Sequence, residues 1–225
     1  MAEMGLGYGS EYQLMRFLGH HRDELNMMIQ NATGMFNDVK WLDYPYENRK
    51  SGDGEFKGIE CFEHLSNYAD IKKQWERFWP SGKGVMNWDG IFTIDDTWFF
   101  VEAKANIEEA FQPCKATGQA SKKRIDSAFE ETKQMLGAEG NAVEWRETNC
   151  YQLANRLAFA CFCKKNHIKA KLLYISFLNG YKKNDKGVKT VEAWREVWNK
   201  QYDILKITEE QLNGIVYHIY PDCRQ

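Results

Sequence analysis

The chain is short of the features that most quickly assign a protein to a class. It has only 4 prolines in 225 residues and no apolar run near membrane-spanning length. A membrane span needs roughly 20 consecutive apolar residues, so no transmembrane helix is expected. Its six cysteines (Cys61, Cys114, Cys150, Cys161, Cys163 and Cys223) include no C-x-x-C pair. That spacing suits neither a zinc ribbon nor a disulfide framework, and reads as reduced, mostly buried thiols in a cytoplasm. The opening MAEMGLGYGSEYQ lacks a basic region followed by an apolar run, so no secretory leader is expected. Excess charge of one sign is also missing: 30 Lys+Arg stand against 32 Asp+Glu, a net charge of −2. A protein that coats nucleic acid non-specifically is usually strongly basic, so any nucleic-acid contact has to come from a local patch. No G-x-x-x-x-G-K-[ST], G-x-S-x-G or H-E-x-x-H occurs, which removes NTPase, serine-hydrolase and zincin chemistry.

What is present is ordinary globular material. Hydrophobic residues make up 43% and charged residues 28%, with 8 Trp, 11 Tyr and 13 Phe. No repeat, low-complexity tract or linker interrupts 1–225, so one domain is expected. Apolar residues at helical spacing predict a first helix over 10–29, started by a capping box of Ser10 and Gln13. A breaker-rich loop over 34–58 and a helix over 59–78 follow, ending at Trp79-Pro80 and SGKG. The period then changes to that of strands. GVMNWDGIFTI and TWFFVEAKA read as a hairpin turning at Asp95-Asp96. Helices are predicted over 120–136, 150–165 and 191–202, and strands over 171–178 and 215–221, with GYKKNDKG as a polar loop. That order implies an α/β or α+β sheet flanked by helices.

The hairpin carries the chemistry. Asp89 near the start of its first strand and Glu102 near the end of the second lie side by side when the strands pair. Glu102 and Lys104, two apart, point to one face. Two carboxylates and an ammonium therefore meet at one end of a sheet, after the apolar Phe99-Phe100-Val101. Hard carboxylate oxygens suit Mg²⁺ or Mn²⁺, which lowers the pKa of a bound water and neutralises a phosphoryl transition state. Lys104 can orient the water or stabilise developing charge. The same triplet also fits a solvated ion pair at a sheet edge, worth about 0–1 kcal/mol.

Asn87-Trp88-Asp89-Gly90, with 12 residues between Asp89 and Glu102-Ala103-Lys104, resembles the PD-(D/E)xK, or restriction-endonuclease-like, nuclease superfamily. Gly-Val-Met-Asn-Trp replaces the nominal proline before the aspartate. The resemblance covers about 88–105 and implies a restriction-endonuclease-like αβββαβ core with a mixed central sheet, here with extra N-terminal helices. It implies a Mg²⁺- or Mn²⁺-dependent endonuclease acting on DNA, or, less often in the superfamily, RNA. Asp89, Glu102 and Lys104 are then catalytic, with Asp89 and Glu102 as metal ligands. A glutamate from the first helix often joins them, and Glu11 resembles it. An acid complementing the helix dipole fits Glu11 equally well, and Glu60 and Glu63 are rivals for the role. No cysteine set matches the iron–sulfur cluster that some members carry.

Two further stretches resemble nucleic-acid contacts of the superfamily. Gln152, Asn155 and Arg156 sit at i, i+3 and i+4, off the apolar face of their helix, as phosphate-touching residues or as an exposed, salt-bridged face. Lys122 and Lys123, with Arg124, open another helix as backbone contacts or as a solvated basic run. A homodimer is an expected assembly. Two other readings stay open: a catalytically silent nucleic-acid-binding or assembly module with the same fold, and an interaction protein of a defence or toxin system.

Overall fold

The computed structural model of the chain describes residues 7–42, 55–82, 85–180 and 187–224. Parts of three expected loops, 43–54 of the breaker-rich stretch, 83–84 of SGKG and 181–186 of GYKKNDKG, lie outside the described residues.

The first amphipathic stretch forms two helices, α1 (Ser10–His20) and α2 (Arg22–Thr33), rather than one. The chain bends at His21, and Arg22 Nε donates to the Leu18 carbonyl at 2.9 Å, satisfying an oxygen freed by the break. The expected capping box does not form. Gly9 is the N-cap, no side chain caps α1, and Gln13 Oε1 is buried without a hydrogen-bond partner among the described residues. The helix expected over 59–78 is also divided. After β1 (Lys40–Trp41) and β2 (Phe56–Lys57) comes a 3-10 turn at Glu60–Phe62, then α3 (Tyr68–Phe78). Between them Leu65 N donates to Phe62 O and Tyr68 N to Leu65 O, three-residue spacings that keep the chain in tight turns.

The first hairpin strand splits as well. β3 (Asn87–Trp88) pairs with β2 in a small sheet, and β4 (Gly90–Ile94) joins the main sheet, so Asp89 is the residue at which the chain changes sheets. The turn lies where the sequence puts it: Asp95, at φ 54°, leads into β5 (Thr97–Lys104). Then come α4 (Ile107–Ala110), α5 (Gln119–Met135), α6 (Tyr151–Lys165), β6 (Ala170–Ser176), α7 (Val191–Leu205), α8 (Glu209–Leu212) and β7 (Val216–Ile219). The result is a mixed α/β architecture around a five-stranded sheet of order β1-β4-β5-β6-β7. Its first two pairings are antiparallel and its last two parallel.

Strand parity divides the core in two. Phe99, Val101 and Ala103 of β5 pack with Leu14, Phe17, Leu25 and Ile29 of α1 and α2 on one face. Phe100 packs on the other face with Trp88 and Phe159, and α6 covers that face. The parallel pairings of β6 with β5 and β7 need cover on both sides, and this explains why α6 is buried from Leu153 to Cys163 almost all the way round. Glu102 and Lys104 have the parity of Phe100, so they face α6. None of the described helices is long and apolar enough to cross a membrane.

Candidate active site

Asp89 N donates to Val101 O at 3.2 Å and Gly90 is registered on Val101, which sets Asp89 beside Glu102 on the neighbouring strand. Asp89 Oδ2 also accepts the Ala103 N–H at 2.7 Å, tying the carboxylate across the two strands. Asp89, Glu102 and Lys104 line one cavity of about 700 Å³.

Glu102 is 3% exposed and Lys104 5%, so this is not a solvated pair at a sheet edge. Lys104 Nζ lies 2.5 Å from Glu102 Oε1, and Gln152 Nε2 donates to the same oxygen at 2.7 Å. Arg156 grips the other oxygen, Nε at 2.8 Å and the terminal nitrogen at 2.6 Å. The Arg156 guanidinium is held in turn by the Asn155 side chain at 2.9 Å, by the Asn87 carbonyl at 2.7 Å, and by the Trp88 ring 4.6 Å away. A carboxylate offers about four lone-pair sites, and Glu102 uses them all.

The two carboxyls have opposite electrostatics. Burial alone raises the Glu102 pKa, but the Arg156 guanidinium and the Lys104 ammonium outweigh it and hold the carboxyl below its ordinary value. Burial, and then the charge of Glu102, push Asp89 up to about 7, against the weaker pull of Lys104, the Ala103 N–H and Arg156. Asp89 is thus short of positive charge while Glu102 is saturated with it.

The α6 residues are brought to the site: Gln152, Asn155 and Arg156 all line the cavity. Their expected alternative, an exposed helix face, is overturned, since Asn155 and Arg156 are buried. Ser10 reaches the cavity but Glu11 does not line it. Glu11 sits half-buried in the first turn of α1, whose apolar side packs on the opposite face of the sheet. Glu60 and Glu63 are exposed and away from the cavity, and Glu60 accepts the Lys57 N–H. Lys122 and Lys123 lie in the first turn of α5, outside the lining, while their neighbour Ser121 is part of it. Among the described residues no three His, Cys, Asp or Glu side chains converge to hold a metal.

Sequence reasoning missed Glu109, Lys115 and Tyr151, which also line the cavity. Glu109 was findable. Asn106-Ile-Glu-Glu109 is a capping pattern, and its side chain accepts the Ala105 N–H at 2.7 Å and Asn106 Nδ2 at 2.8 Å. Lys115 carries no local signal. The starts of α1, α5 and α6 all contribute lining residues, and none of their N-caps makes a side-chain cap. Lining residues from three helix starts add the positive ends of helix dipoles to the side-chain cations of this space, which suits an anion. Compared with family models, curated proteins and solved structures, the chain matches none.

Proposed function

We propose that this cavity is the active centre of a divalent-metal-dependent nuclease of the PD-(D/E)xK type, hydrolysing phosphodiester bonds in DNA. The observation that carries the reading is the placement of Asp89, Glu102 and Lys104 in one cavity, together with Gln152 and Arg156. Three antiparallel neighbours in the main sheet (β1, β4, β5), then a helical crossover to the parallel β6, are compatible with the core that the resemblance implies.

The donor set suits Mg²⁺ or Mn²⁺ in kind. Asp89 and Glu102 would hold the ion, with water and backbone oxygen completing a shell that Mg²⁺ rarely fills from protein alone. The Asp89 carboxyl in particular is raised by burial and then by the charge of Glu102, and a cation relieves both. The metal supplies Lewis acidity and an acidified water. Lys104 holds its ammonium over Glu102 at the cavity wall, where it orients a nucleophile or stabilises charge on a phosphoryl oxygen. Arg156 is a positioning residue: its bidentate grip fixes Glu102 rather than reaching into solvent.

One observation favours a second reading, a catalytically silent nucleic-acid-binding module. With every lone pair of Glu102 engaged, a metal must displace a donor, and Gln152 is the neutral one. Incubating the protein with plasmid, single-stranded DNA and RNA, each with Mg²⁺, Mn²⁺ or EDTA, separates the two. Metal-dependent cleavage of DNA supports the nuclease, and binding without cleavage under any metal supports the silent module.

A further inference from the structure

The α6 helix joins two cavities. Its first turns line the candidate active site, and its last turn, with the chain that follows, lines a second cavity of about 790 Å³ at the other end of the sheet. Thr97 lines the second and Glu102 the first, five residues apart on β5, or about 16 Å at ~3.3 Å per residue. The second cavity is lined by Lys164, His167, Lys169 and Lys171, and no carboxylate is among its lining residues.

This concentration of positive charge is not neutralised from within. Lys169 pairs with Asp96 at 2.6 Å, an exposed contact, and Lys171 Nζ donates to the Gly214 carbonyl. Among the described residues no carboxylate forms an ion pair with Lys164 or Lys171. Burial, and then the charge of Lys164, lower the Lys171 pKa, as expected of like charges sharing a confined space. The negative end of α6 accounts for a lysine in its last turn. It does not account for Lys169 and Lys171, which follow the helix on the approach to β6 and within it.

His167 also lines the cavity. It holds φ 58° just after α6, where its N–H donates to Lys164 O and the Ile168 N–H closes onto Cys163 O. This is a Schellman-type helix end, and α7 ends the same way, with Lys206 at φ 52° and the Ile207 N–H on Tyr202 O.

We propose that this cavity binds phosphate groups, those of a nucleotide or of a nucleic-acid backbone, at a site separate from the candidate active site. Lys164 and Lys171 supply charge, His167 a ring N–H, and the space is of the size that holds small ligands. The proposal stands whether or not the other cavity cleaves DNA.

Isothermal titration of the full chain with pyrophosphate in EDTA tests it, with Lys165→Gln, an exposed lysine outside the lining, as the charge control. The parent and Lys165→Gln should bind alike. Replacing Lys164 and Lys171 together by Gln should weaken binding by roughly tenfold per lysine, the factor that follows from losing a charge-assisted hydrogen bond. His167→Gly relieves the backbone and should raise thermal stability while weakening pyrophosphate. That variant keeps the test open if the double variant fails to fold. Competition by short single-stranded DNA assigns the site to a backbone, and competition by ATP alone assigns it to a nucleotide. Absence of pyrophosphate binding by the parent, or unchanged affinity in His167→Gly and in a folded double variant, overturns the proposal.

Discussion

Asp89→Asn should make the metal-free protein more stable at neutral and alkaline pH while removing its metal site. The Asp89 carboxyl goes from an ordinary value of 3.8 to about 7 in the fold. A raised folded pKa contributes stability below the unfolded value that is lost as pH rises through the folded one. Metal-free parent protein therefore loses stability between about pH 4 and about pH 7 on account of this group. At ~1.4 kcal/mol per unit the shift corresponds to about 4 kcal/mol at most. Asp89 is half-buried and coupled to Glu102, so about 2–4 kcal/mol is the working figure. Asparagine carries no charge, and its Oδ1 can still accept the Ala103 N–H that Asp89 takes at 2.7 Å. In EDTA, melting of parent and variant should coincide near pH 4 and diverge upward, with the variant ahead by on the order of 10 °C at pH 8. Added Mn²⁺ should then stabilise the parent and leave the variant unmoved, because only the parent binds it in the folded state. Equal melting at pH 8 in EDTA, or a parent more stable than the variant, would refute the electrostatic reasoning.

Other outcomes follow from the same contacts. Arg156→Ala strips one oxygen of buried Glu102 and should cost about 3–5 kcal/mol in urea unfolding; Arg156→Lys should not rescue it, lacking the two-pronged grip. Gln152→Ala frees a lone pair on Glu102 Oε1, so Mn²⁺ titration should show tighter binding than the parent, by a few-fold. His218, whose Nε2 meets Tyr202 Oη at 2.7 Å, is driven by burial down to about 3. Its stabilisation is complete above about pH 6.5 and lost as pH falls toward 3, and acid-unfolding curves should flatten in His218→Phe.

Much of this was legible in the sequence where one physical rule acts alone. The β4–β5 hairpin and its turn at Asp95 follow from period two and a breaker pair, and the shared face of Glu102 and Lys104 follows from parity. The rest depended on partners distant in sequence. The buried face of α6 looked polar because Gln152 and Arg156 are satisfied by Glu102, some fifty residues earlier. The break at His21 has only Gly19, two residues earlier, to announce it, and a lone glycine inside a helical period does not fix a bend. Glu11 looked like a ligand by position in α1, yet α1 packs against the sheet face opposite Glu102. Lys115 reaches the cavity on the stretch between α4 and α5, whose path no periodicity encodes.

Plasmid cleavage by Lys104→Ala, followed in Mn²⁺ with an EDTA blank, tests the central proposal most directly. Asp89 and Glu102 remain in that variant, so metal binding should persist, while the water or phosphoryl oxygen loses its cationic partner. Cleavage by the parent should require the metal, and the variant should be slower by roughly two to three orders of magnitude, the loss typical of removing one such stabilising group. A parent that cuts no substrate with either metal, or a Lys104→Ala protein that cuts as fast as the parent, contradicts the account.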